Sequence, residues 1–262
     1  MMTWEVQQVF YTPDANMLLF NFWATLCSYN FHSIINSIYP PATFRHEWNI
    51  RYKQVIIALM LISALGVCAY AWQLRHGLIP IFIAALATFL YSAPNIPAKP
   101  FIWLRKIAIG KTIFLAGVWT YATGLLPMLI SGKPLSAQHY YFLGQRLFLV
   151  YAICILFDIK DRPEDRQKGI RALPTVMTER GIRRVYFASL SLSLVSLIML
   201  SVSGMTGPGI FFLLIPIMIC MFIYKYAITH HSDLLYFFVL DGLMMFSAIL
   251  LMIYLISITF VT

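Results

Sequence analysis

An all-α, polytopic membrane bundle of about eight spans is the fold class that this sequence predicts, and three observations predict it. Hydrophobic residues make up 60% of the chain and charged residues only 11%, where a soluble domain carries about a quarter charged. The apolar residues fall in continuous runs near the roughly 20 residues that a spanning helix needs, not in the alternation of a barrel strand. The basic residues fall almost entirely in alternate loops. Too little polar surface remains to cover a water-soluble globule, so lipid is the expected solvent. Residues 1–262 are read as a single membrane domain. No Lys or Arg precedes Asn16 and no separate apolar core stands there, so no signal peptide is expected.

The spans are read at 17–36, 55–73, 78–92, 112–130, 138–157, 185–203, 209–224 and 234–260, the third being the shortest. Pro80, Pro127 and Pro216 lie in or near them as candidate kinks. Cys27, Cys68, Cys154 and Cys220 all fall in apolar stretches without a C-x-x-C pair, so they are read as small buried hydrophobes, not as zinc ligands or disulfides. Arg146 and Asp241 are costly in lipid and are expected to face the interior, where pairing with each other is favoured slightly over substrate contact. The 20 Phe and 15 Tyr could wall an isoprenoid tail, but packing and interfacial anchoring account for most such residues.

Sixteen of the 19 basic residues fall in the loops after spans one, three, five and seven, leaving only Arg75 and Lys133 opposite and Arg146 within span five. The positive-inside rule places those loops in the cytoplasm and both termini outside. A multi-pass protein of the bacterial inner (plasma) membrane, with its polar site facing the cytoplasm, is the expected localisation. The basic excess is thereby assigned to topology, and no nucleic-acid partner is expected.

After span five the chain reads FDIKDRPEDRQKGIRALPTVMTERG, opening with Asp158, Asp161, Glu164 and Asp165, four of the chain's ten acids. Asp161 and Asp165 are four apart, so on a helix they share a face. Paired carboxylates suit a hard divalent cation such as magnesium, which takes oxygen ligands and commonly bridges to phosphate. Lys160, Arg162, Arg166, Lys168 and Arg171 stand around them, well supplied to hold a polyanion. The bland alternative is a solvated loop whose acids and bases pair with one another.

In the order Asp158, Asp161, Asp165, Gly169, Arg171 and Leu173, this stretch resembles the second aspartate motif, D-x-x-x-D, of the UbiA superfamily of intramembrane prenyltransferases. Tyr91-Ser92-Ala93-Pro94 followed by Lys99 is similar to that family's tyrosine-proline-lysine loop. The resemblance runs from span one to about Gly181. It implies a bundle around a central cavity, magnesium at Asp158, Asp161 and Asp165, and an isoprenoid diphosphate donor. It makes Asp161 and Asp165 the catalytic pair, with Tyr91, Lys99, Lys160, Arg162 and Lys168 as candidate phosphate contacts.

Two departures stand out. Against the resemblance, the family's usual first helix is expected to be missing, in keeping with an outside amino terminus. Its first motif, N-x-x-x-D-x-x-x-D, is replaced at the same spacing by Ser28, His32 and Asn36, so both aspartates are missing. These three still share one helical face, but imidazole is a poor magnesium ligand. His32 is therefore read as a hydrogen-bond donor to phosphate, or else as a polar residue packed in the bundle with Asn30 and Asn36.

Spans one to four and five to eight read as two pseudo-repeated halves, whose equivalent first helices carry the two motifs on one side of the membrane. The expected activity is transfer of an isoprenyl group from an allylic diphosphate to an unidentified acceptor. The alternative is a catalytically impaired relative that binds isoprenoid lipid or a partner protein. A secondary transporter is disfavoured because the acids cluster at the membrane edge, and a phosphatidyl-alcohol transferase because its longer D-x-x-D-G-x-x-A-R pattern is missing.

Overall fold

A computed structural model describes residues 1–37, 44–93, 110–167, 172–230 and 232–261. Every predicted span is helical, and the described residues contain no strand. A short helix α1 (Met2–Val9) comes first, then α2 (Ala15–Asn36), α3 (Phe44–Arg51), α4 (Lys53–Gln73) and α5 (Leu78–Ser92). The fourth span is α6 (Lys111–Thr120), a π turn (Tyr121–Leu125) and α7 (Leu126–Ile130). The second half holds α8 (Ala137–Gln167), the one-turn α9 (Leu173–Val176), α10 (Glu179–Val202) and α11 (Pro208–Thr229). A π turn (Leu235–Leu240), α12 (Asp241–Met244) and α13 (Phe246–Val261) end the chain.

Local chemistry sets the boundaries. Asp14 caps α2, its carboxylate accepting from the amides of Asn16 at 2.9 Å and Met17 at 3.2 Å, which satisfies donors a helix start leaves orphaned. Thr178 does the same for α10. Gly207, at φ +91°, turns the chain into α11 in a conformation that favours glycine.

Six helical stretches among the described residues are long and apolar enough to cross a membrane, and the last pair, bent by 60°, makes a seventh if counted as one span. The 3-10 turn Arg75–Gly77 extends the third to 18 residues. Absent from the apolar set is α2, a 22-residue helix that carries Asn16, Asn21, Ser28, Asn30, His32 and Asn36 along its length.

Three expectations are corrected. The acidic stretch begins as helix, not loop: α8 continues for 31 residues, through Pro163 to Gln167. Cys68 is exposed on the outside of the bundle and Cys27 half-buried, while Cys154 and Cys220 are buried as expected. Arg146 does not pair with Asp241. Its guanidinium bonds the Glu5 carboxylate, with both side chains at most 3% exposed, and donates to the Met2 carbonyl at 3.2 Å.

The Glu5 contact explains α1, an element outside every predicted span. A buried guanidinium costs several kcal/mol unless it is paired, and α1 brings the carboxylate to it. α1 lies antiparallel to α8: Phe10 stacks on His139 at 4.1 Å, Glu5 meets Arg146, and Met2 clusters with Val150 and Cys154. It is also held from other spans. Asn21 of α2 donates to Thr3 Oγ1 at 2.7 Å and to the Ala122 carbonyl of the π turn at 2.8 Å.

The core is uneven. One cluster gathers α8, α10, α11 and the last segment around Tyr186, Leu190, Ile153 and Tyr236. A smaller one joins α2, α4, α5 and α7 around Met17, Leu74 and Leu126. Close approach of α2 to α4 requires Gly66, where an added Cβ would come within 2.5 Å of the Trp23 ring.

Candidate active site

The last three turns of α8 carry Asp158, Asp161 and Asp165. Asp165 is buried, Asp158 half-buried and Asp161 exposed. Helical continuity decides their presentation: at one-turn spacing Asp161 and Asp165 leave one face, and Asp158 stands nearly a turn before them. Burial of Asp158 is compensated locally. Thr112, at the start of α6, donates its hydroxyl to the Asp158 carboxylate, and Lys111 lies within electrostatic range.

Tyr91, in the last turn of α5, lies within electrostatic range of all three aspartates and of Cys154. Its ring is stacked with His32, centroids 6.2 Å apart and planes 22° from parallel. The first motif position and the second are thus bridged by one aromatic side chain. Asn30, by contrast, turns back to its own helix and donates to the Leu26 carbonyl at 2.7 Å. Ser28 is half-buried one turn before His32, and α2 ends at Asn36. Tyr236, from the last segment, lies within electrostatic range of Asp161.

The basic residues are distributed differently from their sequence neighbours. Lys160 pairs with Asp233 at 2.7 Å and sits over the rings of Tyr236 and Phe237, tying α8 to the last segment. Arg162 is 3.7 Å from Glu179, and its buried Nε has no hydrogen-bond partner among the described residues. Lys99 and Lys168 lie outside the described residues.

Lys111 and Thr112 escaped the sequence reading as site residues. Their signal was position: they begin span four on the side that receives the acidic stretch. Their distance in sequence from Asp158 concealed the pairing.

Among the described residues, no three His, Cys, Asp or Glu side chains converge as a cation cage. The donors present nevertheless suit magnesium arriving with a phosphate ligand, because that ion keeps several waters and is commonly held by one or two carboxylates plus substrate oxygens. Asp161 and Asp165 would hold it, with Asp158 beside them. A partly buried arginine with an unsatisfied Nε supplies what a phosphate oxygen accepts.

No curated protein and no solved structure matches the chain. The sequence profile of the UbiA prenyltransferase family matches residues 48–235. The match takes in Tyr91 and the D-x-x-x-D turn and continues beyond Gly181. It begins after α2, leaving Ser28, His32 and Asn36 outside it. Over most of its length, then, this helical membrane protein belongs to the UbiA prenyltransferase family.

Proposed function

We propose that the chain is a membrane prenyltransferase that takes an isoprenyl group from an allylic diphosphate and passes it to an acceptor, working from the cytoplasmic side of a bacterial inner membrane. The observation that carries this reading is Tyr91, stacked with His32 of the first half and within electrostatic range of the three aspartates of the second. That arrangement suits one polyanion held between two walls. Asp161 and Asp165 would anchor it, Arg162 would donate to a phosphate oxygen, and His32 would approach from the opposite wall, with Ser28, Asn36, Lys99 and Lys168 as further contacts.

Magnesium, when bound, supplies positive charge that stabilises the leaving diphosphate. The allylic carbon–oxygen bond breaks with its electron pair passing to diphosphate, the acceptor forms a bond to the allylic carbon, and the acceptor's proton is released. Tyr91, facing the developing charge, would orient the diphosphate. Lys111 and Thr112 would hold Asp158 in place, since charged hydrogen bonds position as well as stabilise.

Purified protein incubated with allylic diphosphates and an acceptor panel should release pyrophosphate only with magnesium. Asp161→Ala and Asp165→Ala should each lower that release by at least about 100-fold, the scale of losing preorganised transition-state stabilisation. Equal tolerance of both changes would reduce the aspartates to a solvated charge cluster. A second reading, an impaired relative that binds isoprenoid without turnover, is favoured by one observation, the absence of carboxylates at Ser28, His32 and Asn36. Diphosphate binding without pyrophosphate release across the panel would select it.

A further inference from the structure

The buried pairing of α1 bears on which donors the site accepts. This helix enters at the end of α8 remote from the aspartates: Phe10 stacks on His139, and Lys133 donates to the Tyr11 carbonyl at 2.9 Å. From there it rises along α8 to Met2, which is 7% exposed and clusters with Ala116, Val150 and Cys154. Cys154 and Val150 lie one and two turns before Asp158, about 6 and 12 Å along the helix axis. Spans one, four, five and eight all meet α1, so it lies where the two halves face each other.

We propose that α1 is the floor of the donor site and that Met2 is the side chain met by the end of the isoprenoid tail. The proposal rests on the diphosphate reading above and deepens it. With its diphosphate at Asp158, Asp161 and Tyr91, a tail extended along α8 reaches Met2 within one to two helical turns. Past Met2 stands the Glu5–Arg146 pair, both members buried. A longer tail would have to separate these opposite charges where no water could solvate them, which is strongly unfavourable. On that register of one to two helical turns, the floor would admit a dimethylallyl or geranyl tail and turn away a farnesyl tail.

The test is magnesium-dependent binding of dimethylallyl, geranyl and farnesyl diphosphates, and of inorganic pyrophosphate, to the full chain in lipid nanodiscs. Wild type should bind the two shorter donors at least about tenfold more tightly than farnesyl diphosphate, a usual discrimination for an apolar pocket of fixed length. Met2→Ala should raise the farnesyl-to-geranyl affinity ratio by about tenfold and leave pyrophosphate binding unchanged. Met2→Phe, which refills the position, should keep the wild-type ratio. Pyrophosphate separates the two readings. If it binds at the aspartates but all tails bind alike, or if Met2→Ala leaves the ratio unchanged, the floor is wrong and the diphosphate site stands. If neither pyrophosphate nor any donor binds, the functional reading fails and the floor falls with it.

Discussion

The two halves of the bundle are built to different standards. In the first half, 11% of the most apolar stretch of α4 is buried, and its Leu61 and Leu65 look outward. In the second, 33% of the equivalent stretch of α10 and 56% of that of α8 are buried, and Tyr186, Ile153 and Leu190 are sealed from any solvent. The half that keeps its carboxylates is the well-packed one. The half that has lost them is loosely packed and carries a polar first helix. A metal-bound diphosphate needs ligands held within a fraction of an ångström, and α8 supplies that rigidity through its packing against α6, α10 and α1. On the proposed reading, the comparison teaches that less is asked of α2, because a single hydrogen bond from His32 to phosphate would tolerate a less rigid frame.

The largest expected effect breaks the comparison at its seam. Glu5→Ala leaves Arg146 buried without its partner and should cost about 3–5 kcal/mol, read as a drop in the thermal unfolding midpoint in detergent. A replacement that unfolds like wild type would show that α1 is not part of the second half's frame. Next comes packing itself. Leu190→Ala opens a void in the tight half and should cost about 2 kcal/mol or more. Leu65→Ala, 73% exposed, should stay within about 0.5 kcal/mol. Equal costs would mean that the halves are equally packed in the membrane.

Much of the fold was legible in sequence because each apolar run must satisfy its backbone internally in lipid, which leaves helix as the answer. The paired aspartates were legible for a similar reason, since four-residue spacing is one helical turn. What stayed hidden depends on contacts across the chain. Eight residues from Met2 to Val9 are too few to form a stable helix alone, and contacts distant in sequence explain them, above all Glu5 with Arg146, 141 positions away. Asp241 looked like the partner of Arg146 because it was the other charged residue within a span, and nothing local marked Glu5 as buried. The acidic stretch looked like loop because the apolar run of span five ends before its charges begin, but α8 continues through an exposed Pro163 to Gln167. Ring stacking of His32 with Tyr91 likewise joins two helices whose sequences do not announce each other.

The central claim is that both halves hold one diphosphate, α8 through its aspartates and α2 through His32. The measurement that tests it most directly is magnesium-dependent binding of geranyl diphosphate to wild type, Asp161→Ala, His32→Ala and His32→Asp. Asp161→Ala should abolish binding. His32→Ala should weaken it by about 10- to 150-fold, the equivalent of one charge-assisted hydrogen bond worth roughly 1.5–3 kcal/mol. His32→Asp should bind no better than His32→Ala if the imidazole contacts phosphate itself, whereas a gain in magnesium-dependent binding would reveal a metal site lacking one ligand. Unchanged affinity in His32→Ala, alongside lost binding in Asp161→Ala, would contradict the account and leave the second half to hold the diphosphate alone.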